Sequence, residues 1–420
     1  MELRYSMRIL LINPNRYKFP PVPPIGIEYI SCSMEHAGHE VEVLDLCFSD
    51  DIYKDIEESI NIFKPEIVGL SVRNIDSVLY HNNEFFLEEM RDIVKFLKYN
   101  FNLCVIVGGT GLSTNPEGVV DYLVADVGIV GPAEETINIL IEDIKNKSLR
   151  SRIYHGVLRK DVSCKRKIDA IDYKIYYENG GIAGFETHKG CSSSCPYCIE
   201  ANKRVFLRDI DHVISEIKDF VSRGYNHFHL CDSEFNEDLD YSTEFCESLK
   251  RASLDIKWTA YMKPSEFSKR LLKLMRDTGV YLITLTVDSY RKCTMYWSDV
   301  ERFVFTAKPL GIKVVIDFLT GFPYEKEEEI CENINLLKRL LPDKISVNTY
   351  IRLYSSTQIT KIIRGDTELK KYLIGNIEDD SLIRPVFYNH ITSDDIKKII
   401  GEDPLFIIEG IEKGVNYCRV

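Results

Sequence analysis

Apolar and amphipathic segments alternate along the first third of the chain, and this alternation predicts a sheet flanked by helices. Short apolar runs at 8–12 and 67–72 predict buried strands, and the spacing of apolar residues over 25–37 and 85–97 predicts helices. When each strand is followed by a helix, the strands pair in parallel. We therefore predict an α/β domain over residues 1–146 with a doubly wound, Rossmann-like sheet.

A second alternation of the same kind predicts a barrel over residues 181–360. Its predicted strands are 182–187, 226–231, 256–261, 281–287, 313–319 and 345–351. Six βα units at this spacing are typical of a partial (β/α)6 barrel of the TIM type. Residues 147–180, which are rich in Lys and Arg, are predicted to be a solvated linker, and residues 361–420 a small α+β C-terminal cap.

The loops that follow the predicted strands are candidate ligand sites, because parallel sheets and barrels bind ligands at the carboxyl ends of their strands. In the first domain these loops contain Asn13-Pro14, the run from Ser71 to Asn74, the run from Gly108 to Ser113, and Gly131. No G-x-G-x-x-G sequence opens a helix after the first strand, which argues against a dinucleotide site.

Composition limits the classes of function. The chain of 420 residues has 53 Lys and Arg against 65 Asp and Glu, and the resulting net charge of −12 does not favour nucleic-acid binding. No apolar run reaches the roughly 20 residues that a membrane-spanning helix needs. The first residues lack the pattern of a secretory signal, so we expect a cytoplasmic protein.

Three of the 12 cysteines are grouped in a loop directly after the first barrel strand. Cys191, Cys195 and Cys198 have the spacing C-x3-C-x2-C, so three thiolates can surround one small metal centre and leave one position open. Most of the other cysteines stand alone in apolar or helical segments and are expected to pack in the core. Cys231, at the end of the next strand, is a weaker candidate for a fourth ligand.

Two other interpretations of the triplet stay open at this point. A zinc site needs a fourth ligand, and His188 is near, but the residues between His188 and Cys191 fit the exit of a strand better. A redox pair formed by Cys195 and Cys198 would leave Cys191 unexplained.

The triplet resembles the signature of the radical S-adenosylmethionine (SAM) superfamily: Cys, three residues, Cys, one residue, an aromatic residue and Cys. Cys191, Cys195, Tyr197 and Cys198 match this signature. The resemblance implies that the three cysteines hold a [4Fe–4S] cluster. It also implies that the fourth iron chelates the amino and carboxylate groups of SAM, and that Tyr197 lies beside the adenine.

The resemblance extends to the ends of the later barrel strands. The segment around Glu234 stands where the family has a Gly-Gly-Glu motif for the methionine amino group, although the two glycines are absent. Lys263 is the implied partner of the SAM carboxylate, and Gly321 begins a Gly-x-Pro loop. Any one of these residues is alternatively an ordinary member of a strand-end loop. The residues implied to bind SAM are Tyr197, Ser233, Glu234, Lys263, Asp288, Ser289, Gly321 and Arg352.

The first domain resembles the cobalamin-binding domain that precedes the barrel in one large subgroup of this superfamily. The motif D-x-H-x-x-G, whose His binds cobalt from below, is absent here, as it generally is in that subgroup. The lower face of cobalt is therefore expected to be empty, occupied by water, or covered by Arg73 or Asn74. The alternative is that Arg73 pairs with Asp76 or another acid of the domain interface. The residues implied to border cobalamin are Asn13, Pro14, Ser71, Arg73, Asn74, Gly108, Gly109, Ser113, Gly131 and Glu134.

The combined resemblance implies a cobalamin-dependent radical SAM methyltransferase that acts on carbon. In this family a 5′-deoxyadenosyl radical activates the substrate and methylcobalamin supplies the methyl group. The expected partners are a small-molecule or peptide substrate and an electron donor such as flavodoxin or ferredoxin. Three alternatives stay open: a radical enzyme that cyclises, rearranges or transfers a group without methylating; methyl transfer from SAM through cobalamin without a radical; and a cobalamin-binding carrier that has lost catalysis.

Overall fold

Two parallel β-sheets, one in each half of the chain, form the framework of the computed structural model. The structure describes residues 6–157, 166–411 and 413–420. The first sheet is buried on both faces, since alternate residues of its first strand, such as Ile9 and Leu10, pack into separate apolar clusters. Trp258 is the largest fully buried side chain of the barrel core. No helix of the described residues is long and apolar enough to cross a membrane.

The first sheet has six parallel strands in the order β2-β1-β3-β4-β5-β6, which confirms the predicted doubly wound fold. Its strands are β1 (Arg8–Asn13), β2 (Glu40–Asp45), β3 (Ile67–Ser71), β4 (Cys104–Gly108), β5 (Val127–Val130) and β6 (Ile153–His155). Its helices are α1 (Ile25–His36), α2 (Ile52–Phe63), α3 (Leu87–Phe101), α4 (Pro116–Leu123) and α5 (Thr136–Lys145). Side chains of Asp51 and Asn115 cap α2 and α4, which explains where these helices begin.

The second half of the chain forms an open barrel, and the predicted partial barrel is confirmed. Its elements up to the sixth predicted strand are α6 (Tyr173–Glu178), β7 (Ala183–Phe185), β8 (His188–Cys191), β9 (Lys203–Leu207), α7 (Ile210–Ser222), β10 (His227–Leu230), α8 (Leu239–Ala252), β11 (Lys257–Met262), α9 (Lys269–Asp277), β12 (Val280–Asp288), α10 (Thr294–Ala307), β13 (Lys313–Leu319), α11 (Glu327–Leu340) and β14 (Lys344–Asn348). The predicted strands correspond to β7, β10, β11, β12, β13 and β14.

The C-terminal segment is less separate than its description as a cap implies. Its elements are β15 (Ile351–Arg352), α12 (Gln358–Gly365), β16 (Leu373–Ile374), β17 (Phe387–Tyr388), α13 (Ser393–Ile400), β18 (Phe406–Ile408) and α14 (Asn416–Arg419). Strands β15, β17 and β16 form a small antiparallel sheet, but β18 pairs with β14 and becomes the seventh strand of the barrel.

The segment predicted to be a linker contributes to both domains. It contains β6, which extends the first sheet, and α6, which packs on the barrel core. The expectation of a solvated basic stretch is wrong at Arg166, whose buried Nη2 lies 2.6 Å from Oε2 of Glu28 on α1. Tyr173 donates a further hydrogen bond to this carboxylate at 2.8 Å. Of the other basic residues of this segment, Arg159, Lys160 and Lys165 lie outside the described residues.

Buried ion pairs join the two domains. Nε of Arg352 on β15 lies 2.8 Å from Oδ2 of Asp76, which is in the loop after β3, and both side chains are almost wholly buried. On another part of the interface, Tyr29 of α1 donates to Glu216 of α7 at 2.8 Å. Since a buried charge is tolerated only when it is paired, these contacts fix how the domains meet.

We expect the substitution Asp76→Asn to destabilise the protein by about 3–5 kcal/mol, because Arg352 would keep a buried charge without its counterion. The measurement is the midpoint of urea unfolding of the apoprotein. Glu88→Gln is the matched control, because Glu88 pairs with Arg384 across the same interface at 2.7 Å, but both side chains are about half exposed. The control should change stability by less than about 1 kcal/mol. Equal effects of the two substitutions would contradict a special role for the buried pair.

Candidate functional site

The cysteine loop connects the two strands of a hairpin, in which β8 ends at Cys191 and pairs antiparallel with β9. Gly190 has a φ of +91°, and a side chain there would bring a Cβ atom to 2.1 Å from the carbonyl oxygen of Arg204. Only glycine therefore permits this close approach of the two strands. At the far end of the loop, the backbone N of Asn202 donates to the carbonyl oxygen of Ser193 at 2.8 Å.

Asp232 anchors the strand that leads into the loop. Its Oδ1 accepts hydrogen bonds from the backbone N of Thr187 at 2.8 Å and of His188 at 3.3 Å. Its Oδ2 lies 3.1 Å from Nδ1 of His188. Burial lowers the pKa of His188, but the hydrogen bond and charge of Asp232 outweigh burial and raise it. His188 is thus engaged by Asp232, which does not favour the zinc interpretation.

The donor set of the loop fits an iron–sulfur cluster. Among the described residues, no three His, Cys, Asp or Glu side chains lie close enough to bind one metal ion. A zinc ion would bring its sulfurs within about 4 Å of one another, because Zn–S bonds are about 2.3 Å long. In a [4Fe–4S] cluster each cysteine binds a different iron, so the sulfurs stand farther apart.

The three thiols have different surroundings. Burial raises the pKa of Cys191 to about 11 and also raises the pKa of Cys198. Cys195 has a cation beside it, since Nη2 of Arg291 donates to its sulfur at 3.2 Å. Iron binds thiolates, so these protons would leave when a cluster is bound. Sequence analysis missed Arg291, whose only signal was its position just after the fourth barrel strand.

Lys263 faces the cysteine loop. Its Nζ lies 3.0 Å from Oε2 of Glu237 and donates to Oγ of Ser192 at 3.1 Å. Ser192 in turn donates from Oγ to Oε2 of Glu237 at 2.6 Å. Lys263 is therefore at the loop, but it has an acidic partner that sequence analysis did not name, because nothing in the sequence pairs the turn after β10 with the end of β11.

Glu234 is partly buried, and one of its carboxylate oxygens is buried and unsatisfied. Its Oε2 has no hydrogen-bond partner among the described residues. Burial raises the pKa of Glu234 to about 8, with Lys263 opposing the rise and Glu237 adding to it. An ammonium group brought next to this carboxyl would stabilise its ionised form. The neighbouring Ser233 is exposed.

Tyr197, Asp288 and Ser289 lie together beside the cysteine loop. The hydroxyl of Tyr197 donates to Oδ2 of Asp288 at 3.3 Å, and Nε of Arg291 lies 3.4 Å from the same oxygen. Burial raises the pKa of Asp288, and Arg291 opposes this rise. The buried Ser289 donates from Oγ to Oγ1 of Thr320 at 3.2 Å, which connects the ends of β12 and β13.

Glu325 holds the Gly-x-Pro loop in place. Its Oε2 accepts hydrogen bonds from the backbone N of Gly321 at 2.7 Å and of Phe322 at 3.0 Å. The ring centroid of Phe322 is 5.6 Å from that of Tyr197, so this loop contacts the aromatic residue of the cysteine motif. The positive φ of Gly321, +82°, suits the turn.

The side chain of Arg352, which was predicted to bind SAM, points to the domain interface. Besides its pair with Asp76, its Nη2 donates to the carbonyl oxygens of Leu382 and Ile383 at 3.0 Å each. These hydrogen bonds lie at the domain interface rather than at the group around Glu234.

The ends of β3 and β4 form a close-packed backbone edge. The N of Val72 donates to the carbonyl oxygen of Gly108 at 2.7 Å. Gly109 has a φ of +106°, and a Cβ atom there would lie 2.6 Å from the carbonyl oxygen of Val72. Ser71 and Ser113 flank this edge and are partly exposed. An edge without side chains allows a large ligand to approach the backbone closely.

Asn13 and Pro14, at the end of β1, are buried, whereas the edge formed by β3 and β4 is partly exposed. Nδ2 of Asn13 donates to Oδ1 of Asp45 at 2.8 Å, and the hydroxyl of Tyr176 donates to the other oxygen of Asp45 at 2.7 Å. The side chain of Asn13 thus ties β1 to β2 and α6.

The remaining predicted residues of this edge differ in exposure. Asn74 and Gly131 are exposed. Glu134 is buried and forms an ion pair with Lys189 of β8. Burial alone would raise the pKa of Glu134, but Lys189 lowers it. Glu134 therefore joins the first domain to the strand that leads into the cysteine loop.

Arg73 and Cys231 lie near each other where strand ends of the two domains meet, a region that we call the chamber. Both residues keep exposed surface, and they are close enough for their charges to act on one another. Arg73 follows β3 and Cys231 follows β10, so the carboxyl ends of both sheets face this chamber. Tyr417 of α14 is a third neighbour. Asp76 pairs with Arg352, and within the described part of the chain Arg73 forms no ion pair.

Family models match both halves of the chain. Residues 20–141 match the B12-binding domain, and residues 185–337 match the radical SAM superfamily. The chain thus joins a B12-binding domain to a radical SAM domain, which confirms the order inferred from the sequence.

Known proteins are similar over most of the chain. Tryptophan 2-C-methyltransferase of Streptomyces laurentii is 23% identical, over 79% of this chain and 70% of its own length. An uncharacterized methyltransferase of Pyrococcus horikoshii is 24% identical, over 94% of this chain and 91% of its own length.

A solved structure has the same fold. The radical SAM methyltransferase TsrM of Kitasatospora setae, with cobalamin and a [4Fe–4S] cluster bound, matches with a TM-score of 0.84 at 22% identity, covering 97% of this chain and 94% of that one. Another structure of that enzyme holds tryptophan and a SAM analogue.

We expect the substitution Glu234→Gln to stabilise the apoprotein at pH 8 and to have little effect at pH 4. The pKa of Glu234 is near 4.5 in the unfolded chain and about 8 in the folded protein. The free energy of unfolding therefore falls as the pH rises between these values. Glutamine removes this loss, which amounts to roughly 3–5 kcal/mol. The measurement is the urea midpoint at both pH values. The control Glu237→Gln should instead destabilise the apoprotein at pH 8, because the partners of Glu237 lower its pKa in spite of burial.

Proposed function

We propose that this chain, which belongs to the radical SAM enzymes that carry a B12-binding domain, transfers a methyl group to a carbon atom of a small molecule. The observation that carries the proposal is that strand ends of the two domains meet, because Arg73 after β3 and Cys231 after β10 are close enough for their charges to interact. Two large cofactors can act on one substrate only if both reach the same place.

The residues around the cysteine loop suit a cluster and SAM. Cys191, Cys195 and Cys198 would hold a [4Fe–4S] cluster, and Glu234 and Lys263 would receive the amino and carboxylate groups of SAM. Tyr197 and the loop at Gly321 would border the adenine, and Asp288 and Ser289 the ribose. When bound, the cluster would supply an electron for SAM cleavage, and cobalamin would carry the methyl group.

The first domain suits cobalamin without a histidine ligand. Gly108 and Gly109 would contact the cofactor through their backbone, and Ser71 and Ser113 would flank it. Arg73 would cover the lower face of cobalt. A guanidinium group is a hydrogen-bond donor without an acceptor lone pair, so it would leave that face without a protein ligand.

We further propose that the substrate is a small molecule, as tryptophan is for TsrM, and that the electron donor is a flavodoxin or ferredoxin of the cytoplasm. The Ser192 to Glu237 hydrogen bond and the Asp232 contacts would keep the cysteine loop in place when the donor binds.

We expect about four irons per chain after anaerobic reconstitution with iron and sulfide, and fewer than about one in Cys191→Ala, Cys195→Ala or Cys198→Ala. The reconstituted protein should convert SAM to S-adenosylhomocysteine and 5′-deoxyadenosine, measured by chromatography, and the three variants should not. Cys231→Ala is the matched control and should keep its iron. If the reconstituted protein released neither product, the proposed function would be wrong. Loss of iron in the Cys231 variant would make it a fourth ligand and remove the open position.

A further inference from the structure

Within the described residues, a carboxylate of the barrel forms no ion pair. Asp317 lies on β13 and keeps part of its surface uncovered. Its Oδ1 accepts a hydrogen bond from Nδ2 of Asn416 at 2.9 Å, and its Oδ2 lies 3.5 Å from the hydroxyl of Tyr261. These two neighbours are neutral, and among the residues that the structure describes no Lys or Arg forms an ion pair with Asp317.

Three cations near the chamber are engaged by other acids. The pairs are Lys263–Glu237, Arg291–Asp288 and Arg419–Glu409. Arg73 lies at the edge of the first domain, beside Cys231. Arg419 is close enough for its charge to lower the pKa of Asp317, but among the described residues none of these cations forms an ion pair with it.

Asn416 positions this carboxylate. It belongs to α14, is only 6% exposed, and its Nδ2 also lies 3.3 Å from Oγ1 of Thr284 on β12. Its Oδ1 has no hydrogen-bond partner within residues 6–157, 166–411 and 413–420. An unsatisfied amide oxygen beside an unpaired carboxylate makes a group of acceptors that lacks N–H donors.

Ring contacts connect this group to the rest of the chamber. The ring of Tyr261 is 5.8 Å from that of His229, which is 5.8 Å from that of Tyr417, the neighbour of Arg73. Burial raises the pKa of Tyr261, and the charges of Asp317 and Glu234 raise it further. The charges of Asp317 and of the carboxyl assigned to SAM thus both act on Tyr261.

We propose that Asp317 binds a protonated amino group of the substrate, so that the methyl acceptor is an amine or an amino acid. This inference rests on the proposed function, since it puts the acceptor in the chamber that would hold SAM and cobalamin. An ammonium group supplies both the missing positive charge and the missing N–H donors. An anionic group at the same place would be repelled by Asp317 and Glu409.

The charges that face Asp317 from its surroundings are those of Glu409, after β18, and Arg419, on α14. Burial raises the pKa of Asp317 to about 6, Glu409 adds to this rise, and Asn416, Arg419 and Tyr261 oppose it. Ammonium binding requires the ionised carboxylate. The affinity of the protein for amines should therefore fall as the pH is lowered through about 6.

The test is a binding assay on the reconstituted protein with SAM and hydroxocobalamin. The probes are the natural amino acids and their decarboxylated amines, each compared with an analogue that has hydrogen in place of the amino group, such as L-tryptophan and indole-3-propionate. We expect at least one amine to bind and its analogue to bind about 30-fold more weakly or worse. Asp317→Asn should weaken the amine by a similar factor, leave the analogue unchanged, and remove the pH dependence.

The variants and controls separate recognition from folding. Asparagine at 317 keeps an oxygen for Nδ2 of Asn416, and Asp299→Asn, which removes a surface carboxylate paired with Arg302 at 2.7 Å, should bind amines as the wild type does. If Asp317→Asn fails to fold, two measurements on the wild type decide the question. They are the pH dependence of amine binding and the ratio of the affinities for the amine and its analogue.

The proposal is overturned if no amine of the panel binds, if amine and analogue bind equally, or if Asp317→Asn binds amines as the wild type does. In that last case Asp317 serves only to hold α14. SAM cleavage by the wild-type preparation is measured in parallel. Its absence would refute the proposed function, whereas its presence with no amine binding would refute only the assignment of Asp317.

Discussion

Charged side chains buried between the two domains fix the relative position of every group in the candidate site. Asp76 and Arg352 form one such pair, and Glu134 and Lys189 form another that ends on the strand of the cysteine loop. Separating Asp76 from Arg352 would strand both charges in a poorly solvated interface at a cost of several kcal/mol, and the cost would be smaller for Lys189, which is 27% exposed. The chamber has walls from both domains, so its shape depends on these pairs more than on either core alone.

A second layer of carboxylates fixes the individual loops. Asp232 accepts backbone hydrogen bonds from the strand before the cysteines, Glu237 accepts one from Ser192 inside the loop at 3.2 Å, and Glu325 accepts two from the Gly-x-Pro loop. Each of these acids acts on backbone N–H groups, so the geometry of the loops does not depend on mobile side chains. Positions held in this way allow reacting groups to be aligned before a substrate arrives.

Local patterns were enough to predict both sheets, the cysteine loop and most of the strand ends, because apolar periodicity and close cysteine spacing can be recognised within short stretches of sequence. The short edge strands β6 and β18 were not predicted, because three residues carry no usable periodicity. The partners of Lys263 and Arg352 were missed for a different reason. Each is an acid brought near by the fold from a distant strand end, and composition cannot choose among the many acids of the chain. The roles assigned to the predicted SAM and cobalamin residues stay predictions.

Strand β18 completes the barrel from a point far along the chain from its neighbour β14. During synthesis on the ribosome, the first sheet can form once residues up to its sixth strand have emerged, but the barrel must wait for β18. A nascent chain would therefore expose the apolar edge of β14 for the time needed to translate the intervening segment, and such an edge invites wrong pairing. Slow translation or a bound chaperone over that interval would protect the unfinished barrel.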